Sequence, residues 1–333
     1  MSTRTAEEIT SAFHRAVQAA VWAPSVHNTQ PWSFTLDGPE LALRADSGRK
    51  LRLGDTMGRE MLISCGAALM NVRLALRVLG CQPQVRVLPD PDRPALLATV
   101  RMGEAVAADE HTRLLHAEIE RRRTHRAGFT ELPVADPLLE AFVSQASAEG
   151  ARLTPVRSEA AVRVIAGLTG AAQDVQSQDR MFTLEMIRWA QPPGSSRREG
   201  VPAQGYPRQP GRTSPYFAQR DYAHGHPWGS DTDQSGSTST GTVAVLTTPG
   251  DSRQDWLVAG QALQRVLLHA SAYDVSAAFH TQALEMFHLR EFLRQELLSG
   301  EYPQMIMRLG FSVDEGEGIR RPVTEVKQER RTA

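Results

Sequence analysis

Cysteine is almost missing from this chain: Cys65 and Cys81 are the two in 333 residues, too few for a disulfide framework and without metal-ligand spacing. Both read as small buried apolar residues, Cys65 inside a helix and Cys81 just past its end. Net charge is missing too. With 37 basic against 38 acidic residues, no global field gathers nucleic acid or an anionic membrane. The basic clusters at 121–123 and 197–198 must therefore be judged locally. Uninterrupted apolar runs are also absent. The two longest, near 62–79 and 256–272, are broken by Asn71, Arg73, Gln261 and Arg265 among others, well short of the ~20 apolar residues of a membrane span. The first residues carry charge and no apolar leader segment, so the expected location is cytoplasmic. Finally, there is no G-x-G-x-x-G, no G-x-x-x-x-G-K-S/T, no H-E-x-x-H and no G-x-S-x-G. His224 and His226 lie near no cysteine and lack helical spacing, and read as ordinary loop histidines.

What is present is an internal echo. Ile63-Ser64-Cys65-Gly66-Ala67-Ala68-Leu69 lines up with Leu257-Val258-Ala259-Gly260-Gln261-Ala262-Leu263, with Gly-x-Ala-Leu in register. Each run continues apolar to a helix end, where Gly80 corresponds to Asp274 at a C-cap position. Further on, Thr99-Val100-Arg101-Met102-Gly103 and Ile306-Met307-Arg308-Leu309-Gly310 are strand-like runs that both end in Arg-x-Gly. Helix, cap and strand agreeing in order argue for a duplicated unit whose copies pack on each other. The length leaves room for two lobes, and the mean hydropathy of −0.34 suits a soluble protein. The expected division is 6–108 and 109–330, the second half carrying a Pro-, Gly- and Ser-rich insertion at 190–241. Loops that long are usually lids or disordered segments. Tyr206, Tyr216, Phe217, Tyr222 and Trp228 could anchor this one over a pocket, with 231–241 a surface excursion.

The most informative stretch is Ala23-Pro24-Ser25-Val26-His27-Asn28-Thr29-Gln30-Pro31-Trp32. It follows an apolar helical run and offers backbone N–H groups, a hydroxyl and an amide, which suits a flat polar ring; a plain helix-to-strand connection would also contain Pro24 and Pro31. The string resembles the APS-x-x-N-x-QPW motif of the nitroreductase superfamily. Arg121-Arg122-Arg123-Thr124-His125-Arg126-Ala127-Gly128-Phe129 resembles that family's RR-S/T-x-R-x-F signature. The two signatures fall in opposite copies, and the chain as a whole is most similar to the Acg-like branch of fused, pseudo-dimeric flavoproteins. It departs from that branch at Asp274-Val275 and at Gln282-Ala283-Leu284-Glu285.

That resemblance implies an α+β protein, a nitroreductase-like fold duplicated within one chain, with mixed, mostly antiparallel sheets flanked by helices and a lid insertion. It implies FMN, one per chain, since each copy keeps only one signature. Pro24, Ser25, Val26 and Asn28 would approach the flavin from one copy and Arg122, Arg123, Thr124 and Arg126 from the other. Arginine suits a phosphate and an electron-rich ring edge because its planar fork donates in pairs and stays charged. Thr281 and Gln282 would lie near flavin N5, and Arg320 and Arg321 near the phosphate, although residues 327–333 read as an unstructured tail. The implied activity passes hydride from NAD(P)H through FMN to a nitro, quinone or similar small-molecule acceptor, needing positioning more than a protein acid or base. The competing expectation is an FMN-sequestering protein whose lid excludes nicotinamide. No nucleic-acid or membrane partner is expected, and the pseudo-dimer would be a monomer able to associate further.

Overall fold

In the computed structural model the described residues are 5–214, 216–231, 238–313 and 318–328. The first half runs α1 (Ala6–Ala20), β1 (Trp32–Asp37), β2 (Glu40–Ala45), α2 (Arg59–Val78), β3 (Cys81–Val87) and β4 (Leu96–Ala105). After α3 (Glu110–Ala117) the second half runs α4 (Asp136–Ser147), β5 (Arg152–Pro155), α5 (Glu159–Gln178), α6 (Arg180–Trp189), β6 (Thr242–Thr248), α7 (Arg253–Ser271), β7 (Val275–Phe279), α8 (Gln282–Glu285), α9 (Phe287–Glu296) and β8 (Tyr302–Phe311). The described chain ends with α10 (Val323–Val326) and β9 (Lys327–Gln328).

Two sheets result, ordered β3-β4-β2-β1-β9 and β7-β8-β6-β5, and within each set of four the neighbours are antiparallel. The strand order thus repeats, and the helix between the second and third strands is α2 in one sheet and α7 in the other. The halves differ at one connection. Where β1 turns into β2 through Gly38 and Pro39, β5 reaches β6 only after residues 156–241. The insertion therefore starts earlier than its Pro/Gly-rich part suggests, because α5 and α6 belong to it.

Local chemistry explains where the long helices begin. Thr5 and Glu8 form a capping box on α1, and Ser252 and Asp255 do the same for α7. Helix α2 follows a left-handed Gly58, and the Asp55 carboxylate accepts the Glu60 N–H at 3.1 Å and the Met61 N–H at 2.8 Å. The ends of α2 and α7 match as well: Gly80 has φ 75° and Asp274 φ 56°, the left-handed conformation that closes a helix.

Helices α2 and α7 cross in the centre of the molecule, glycine on glycine. A Cβ built on Gly66 would lie 2.4 Å from Leu257 O, and one on Gly260 only 2.0 Å from Ile63 O. Each clash falls on the residue three before the other glycine, so the contact is reciprocal, as across a two-fold axis. Around it lies one core drawn from both halves, including Trp32, Phe34, Leu69, Leu257, Ala262 and Met307, all buried. Of the described helices α2 alone has the length and hydropathy of a membrane span, over 20 residues, and most of it is buried here.

The C-terminal segment departs from the expectation of an unstructured tail. Lys327 and Gln328 pair in parallel with Phe34 and Thr35 of β1, so the second half donates a strand to the first sheet. Arg321 guides it there, its N–H donating to Gln30 Oε1 at 2.8 Å and its side chain reaching Glu325. Residues 329–333 lie outside the described residues, as do 232–237 of the expected surface excursion; Ser239, beyond them, is bridged to Phe129 and Ser214.

Candidate functional site

The loop at 23–30 is held in a conformation that few sequences tolerate. His27, Asn28 and Gln30 have φ of 44°, 54° and 49°, each a local cost of roughly 1–3 kcal/mol that the surroundings must offset. They do so by hydrogen bonds: Ser25 Oγ accepts the Gln30 N–H at 3.0 Å, and Val26 N–H donates to Ser64 Oγ on α2 at 3.1 Å. Asn28 Nδ2 donates to Gly200 O at 2.9 Å and Ile319 O at 3.3 Å, and Gln30 Nε2 to Arg198 O at 2.8 Å. Asn28 thus joins the loop to the insertion and the C-terminal segment.

Between this loop and the second half is a narrow internal slot of about 70 Å³. Pro24, Ser25, Val26 and His27 form one side, and Glu60, Ile63, Ser64 and Ala67 of α2 the floor with Leu263 of α7. Thr124, Arg126, Phe279, Thr281 and Met305 face them, and Arg220 and Tyr222 come in from the insertion. Tyr222 packs edge-on to His27 with ring centres 5.7 Å apart, and the Arg126 guanidinium lies 5.8 Å from its ring. Arg220 is anchored by a buried ion pair to Glu285 at 2.6 Å, and Thr281 Oγ1 donates to the same carboxylate oxygen at 2.8 Å. Burial first, then Arg220 and Arg126, holds His27 well below the ordinary histidine range.

Thr124 and Arg126 also line a larger open cleft of about 590 Å³ on the other side, with Arg121, Arg122, Arg123 and His125 along one wall. The arginine segment is pinned by a parallel bridge from Thr124 to Ala277 and by His125 N–H donating to Ala277 O at 2.9 Å. Buried Arg308 supports it from behind, donating to His280 Nε2 at 2.7 Å and to Ala127 O at 3.0 Å.

Beside the cleft, cations converge on Trp22. The Arg123 and Arg320 guanidinium carbons lie 5.2 and 5.5 Å from its ring centre, and its carbonyl accepts from Arg122 Nη2 at 3.5 Å and Arg320 Nη2 at 3.2 Å. Neither Arg122 nor Arg320 forms an ion pair among the described residues, and the buried Nε of each has no hydrogen-bond partner. Burial, then Arg123 and Arg126, pushes Arg122 down to about 9; burial and the same group of arginines push Arg320 well below the guanidinium range. Crowded guanidinium groups with unsatisfied donors repel one another, a cost that an anion between them would relieve.

The structure therefore brings Pro24, Ser25, Val26, Thr124, Arg126 and Thr281 to the slot, and Arg122, Arg123 and Arg320 to the cluster beside the cleft. It does not bring the remaining sequence candidates to either. Asn28 lies behind the loop, touching the cluster only through Arg320 Nη1 at 3.4 Å. Gln282 points toward α5, donating to Gln173 Oε1 at 3.1 Å. Arg321 is engaged with Gln30 and Glu325. Trp22, Glu60, Ser64 and Arg220 were not singled out by sequence, whereas Tyr222, one of the five insertion aromatics expected over a pocket, does line the slot. A hint was available for Glu60, since Asp55 and the Arg59-Glu60 pair directly precede an apolar run.

Aligned on the glycines, Ala67 corresponds to Gln261 and Ser64 to Val258. Gln261 Oε1 accepts from Arg73 Nη1 at 2.8 Å, and Glu149 ties Arg73 to Arg265. No group of three metal-ligating side chains occurs among the described residues, and His226 stacks on Trp228 with ring centres 4.4 Å apart.

No family model matches the chain. Curated relatives do. "Putative NAD(P)H nitroreductase Rv3131" of Mycobacterium tuberculosis is 33% identical over 296 residues, which is 88% of this chain and 83% of the relative. "Putative NAD(P)H nitroreductase acg" of the same organism is 28% identical over 330 residues, 95% of each chain. Among solved structures, the FMN-dependent nitroreductase NfnB from Mycobacterium smegmatis in complex with NADPH aligns over 65% of this chain and 97% of its own, at 16% identity and a TM-score of 0.38.

Proposed function

The chain belongs to the nitroreductase superfamily, and on that premise we propose that it is an FMN-dependent oxidoreductase that draws electrons from NAD(P)H and delivers them to a nitro compound, a quinone or a similar small molecule. The observation that carries this reading is the pair Arg122, buried, and Arg320, half-buried, whose buried Nε atoms lack partners beside the cleft that shares Thr124 and Arg126 with the slot walled by Pro24, Ser25 and Val26. A phosphate dianion satisfies both and relieves their mutual repulsion. Arg122, Arg320 and Arg123 would hold the phosphate, and Thr124 and Arg126, which line both cleft and slot, would lead the ribityl chain inward. The ring would lie between the loop at 23–27, α2 and Thr281. Bound there, the flavin supplies two-electron chemistry that no side chain can. The protein supplies position, a cationic flank and exclusion of water.

One site per chain is expected, because the position corresponding to the slot's Ala67 carries the longer Gln261, whose Oε1 is engaged by Arg73. The slot is smaller than the 300–1,000 Å³ typical of ligand pockets, so Tyr222 and Arg220 have to withdraw as a ring enters. The deciding experiment is reconstitution with FMN followed by anaerobic titration. One FMN per chain, bleached by NADH or NADPH, is the expected outcome. Failure to bind FMN refutes the reading, and a bound flavin that dithionite reduces but neither nucleotide does would mark a flavin-holding protein instead.

A further inference from the structure

The slot also holds a carboxyl group. Glu60 stands in the first turn of α2, almost fully buried, with its side chain on the slot wall. Charged groups face it from every element packed around it. Arg59 Nη2 donates to Oε1 at 3.0 Å, and Arg59 is itself fixed by donating to Gln304 O at 2.6 Å. Asp55 lies beneath, bonded to the Glu60 N–H. Glu285 of α8 and Arg220 of the insertion act from across the slot. Burial, and next the Glu285 carboxylate, pushes the Glu60 carboxyl up to about 8, outweighing the two guanidinium groups. A buried carboxyl pushed toward its protonated form on the wall of a narrow slot is placed to act as a proton source.

We propose that Glu60 is the proton donor of the slot, handing its carboxyl proton to an acceptor oxygen of quinone type as that acceptor takes up an electron pair drawn from reduced nicotinamide. This rests on the reading of the slot as the flavin-ring site. For a quinone, the nicotinamide provides the equivalent of a hydride and Glu60 the second proton. The products are quinol, oxidised nicotinamide and a Glu60 carboxylate. The O–H bond of Glu60 breaks as a new one forms on the acceptor, and water reprotonates the carboxylate after product leaves. Arg59, always charged, steadies the carboxylate left behind.

Glu60→Gln keeps the shape and the Arg59 contact but has no acidic proton. FMN titration comes first: a wild-type protein that binds none overturns the flavin reading and this proposal together. Turnover is then compared for a benzoquinone, which needs protons, and for ferricyanide, which takes electrons alone. In Glu60→Gln the ratio of quinone to ferricyanide turnover should fall roughly tenfold or more, and the loss of quinone turnover as pH rises through about 8 should disappear. An unchanged ratio in a flavin-loaded variant overturns the proposal while leaving the flavin reading intact. A readout independent of turnover is the infrared band of a protonated carboxyl group in the apoprotein. It should be present at pH 7, titrate away near 8 and be missing in the variant. Its absence from wild-type protein at pH 7 overturns the proposal even if Glu60→Gln does not fold.

Discussion

Gly260→Ala tests the central packing directly. The added methyl would sit 2.0 Å from Ile63 O and 2.9 Å from both Ala67 N and Gly66 Cα, all backbone atoms that no side-chain rotation can move. Bringing the shortest contact to a tolerable 3.0 Å requires α2 and α7 to part by about 1 Å at this point, whereas the same change at Gly66 needs about 0.6 Å. Alanine returns up to ~1 kcal/mol through helix propensity. Overpacking a tight core costs ~1–3 kcal/mol, and more when backbone must shift. The expected net loss is therefore about 2–3 kcal/mol for Gly260→Ala and less for Gly66→Ala. At roughly 2 °C per kcal/mol for a chain of this size, the melting temperature should drop by some 4–6 °C. Gly167 in α5 is the control: a Cβ there meets nothing within 4 Å, so Gly167→Ala should stabilise by ~0.5–1 kcal/mol. Because the slot is walled by both crossing helices, Gly260→Ala should weaken FMN binding as well. Melting temperature and urea midpoint measure the first effect, and flavin fluorescence quenching the second. A Gly260→Ala protein that melts at the wild-type temperature would refute the argument from close approach.

Two further outcomes follow from the site. Arg320→Met should weaken FMN binding by roughly 1–3 kcal/mol, and inorganic phosphate should raise the melting temperature of the wild-type apoprotein more than that of the variant; wild-type flavin affinity in the variant would remove Arg320 from the phosphate site. Burial and the neighbouring Arg308 hold buried His280 well below the ordinary value of 6.5. Its depressed folded pKa means that the associated stability is whole above 6.5 and lost as pH falls below it, at roughly 1.4 kcal/mol per pH unit. Urea midpoints at pH 7 and pH 5.5 should therefore differ more in wild-type protein than in His280→Gln, and equal differences would shift the effect to His27.

The parts legible in sequence are those with local or periodic causes. The apolar run over residues 62–79 became α2, Val275–Phe279 became β7, and the correspondence of Gly80 with Asp274 shows up as two left-handed caps. The glycine pair could be read because a mid-helix glycine has few reasons to exist other than close approach. What escaped was decided by tertiary contact. Glu60 looks like a solvated residue in a helical first turn, yet it is buried, with Glu285 of α8 and Arg220 of the insertion acting on it from distant parts of the chain. Tyr222 was one of five lid aromatics, and nothing local separates it from Tyr216, which is exposed. Lys327 and Gln328 carry no strand signal of their own, since their pairing comes from β1 and from the Arg321 contacts to Gln30. Asn28 was legible as important but not in what it does, because its partners, Gly200 and Ile319, lie far away in sequence.

The cluster of Gln261, Arg73 and Glu149, where the other copy has Ala67, bears on what joining two halves in one chain permits. In an assembly of two identical chains, a substitution enters both sites at once, so a side chain that blocks one blocks the other. Joining the halves in one polypeptide removes that constraint. Position 261 can take a long polar residue while its counterpart at 67 stays small. In such a fused chain one of two sites can be given over to packing, and the other is relieved of any need for symmetry. A long insertion in one half alone, such as residues 156–241, is then tolerable, because it has no twin to collide with.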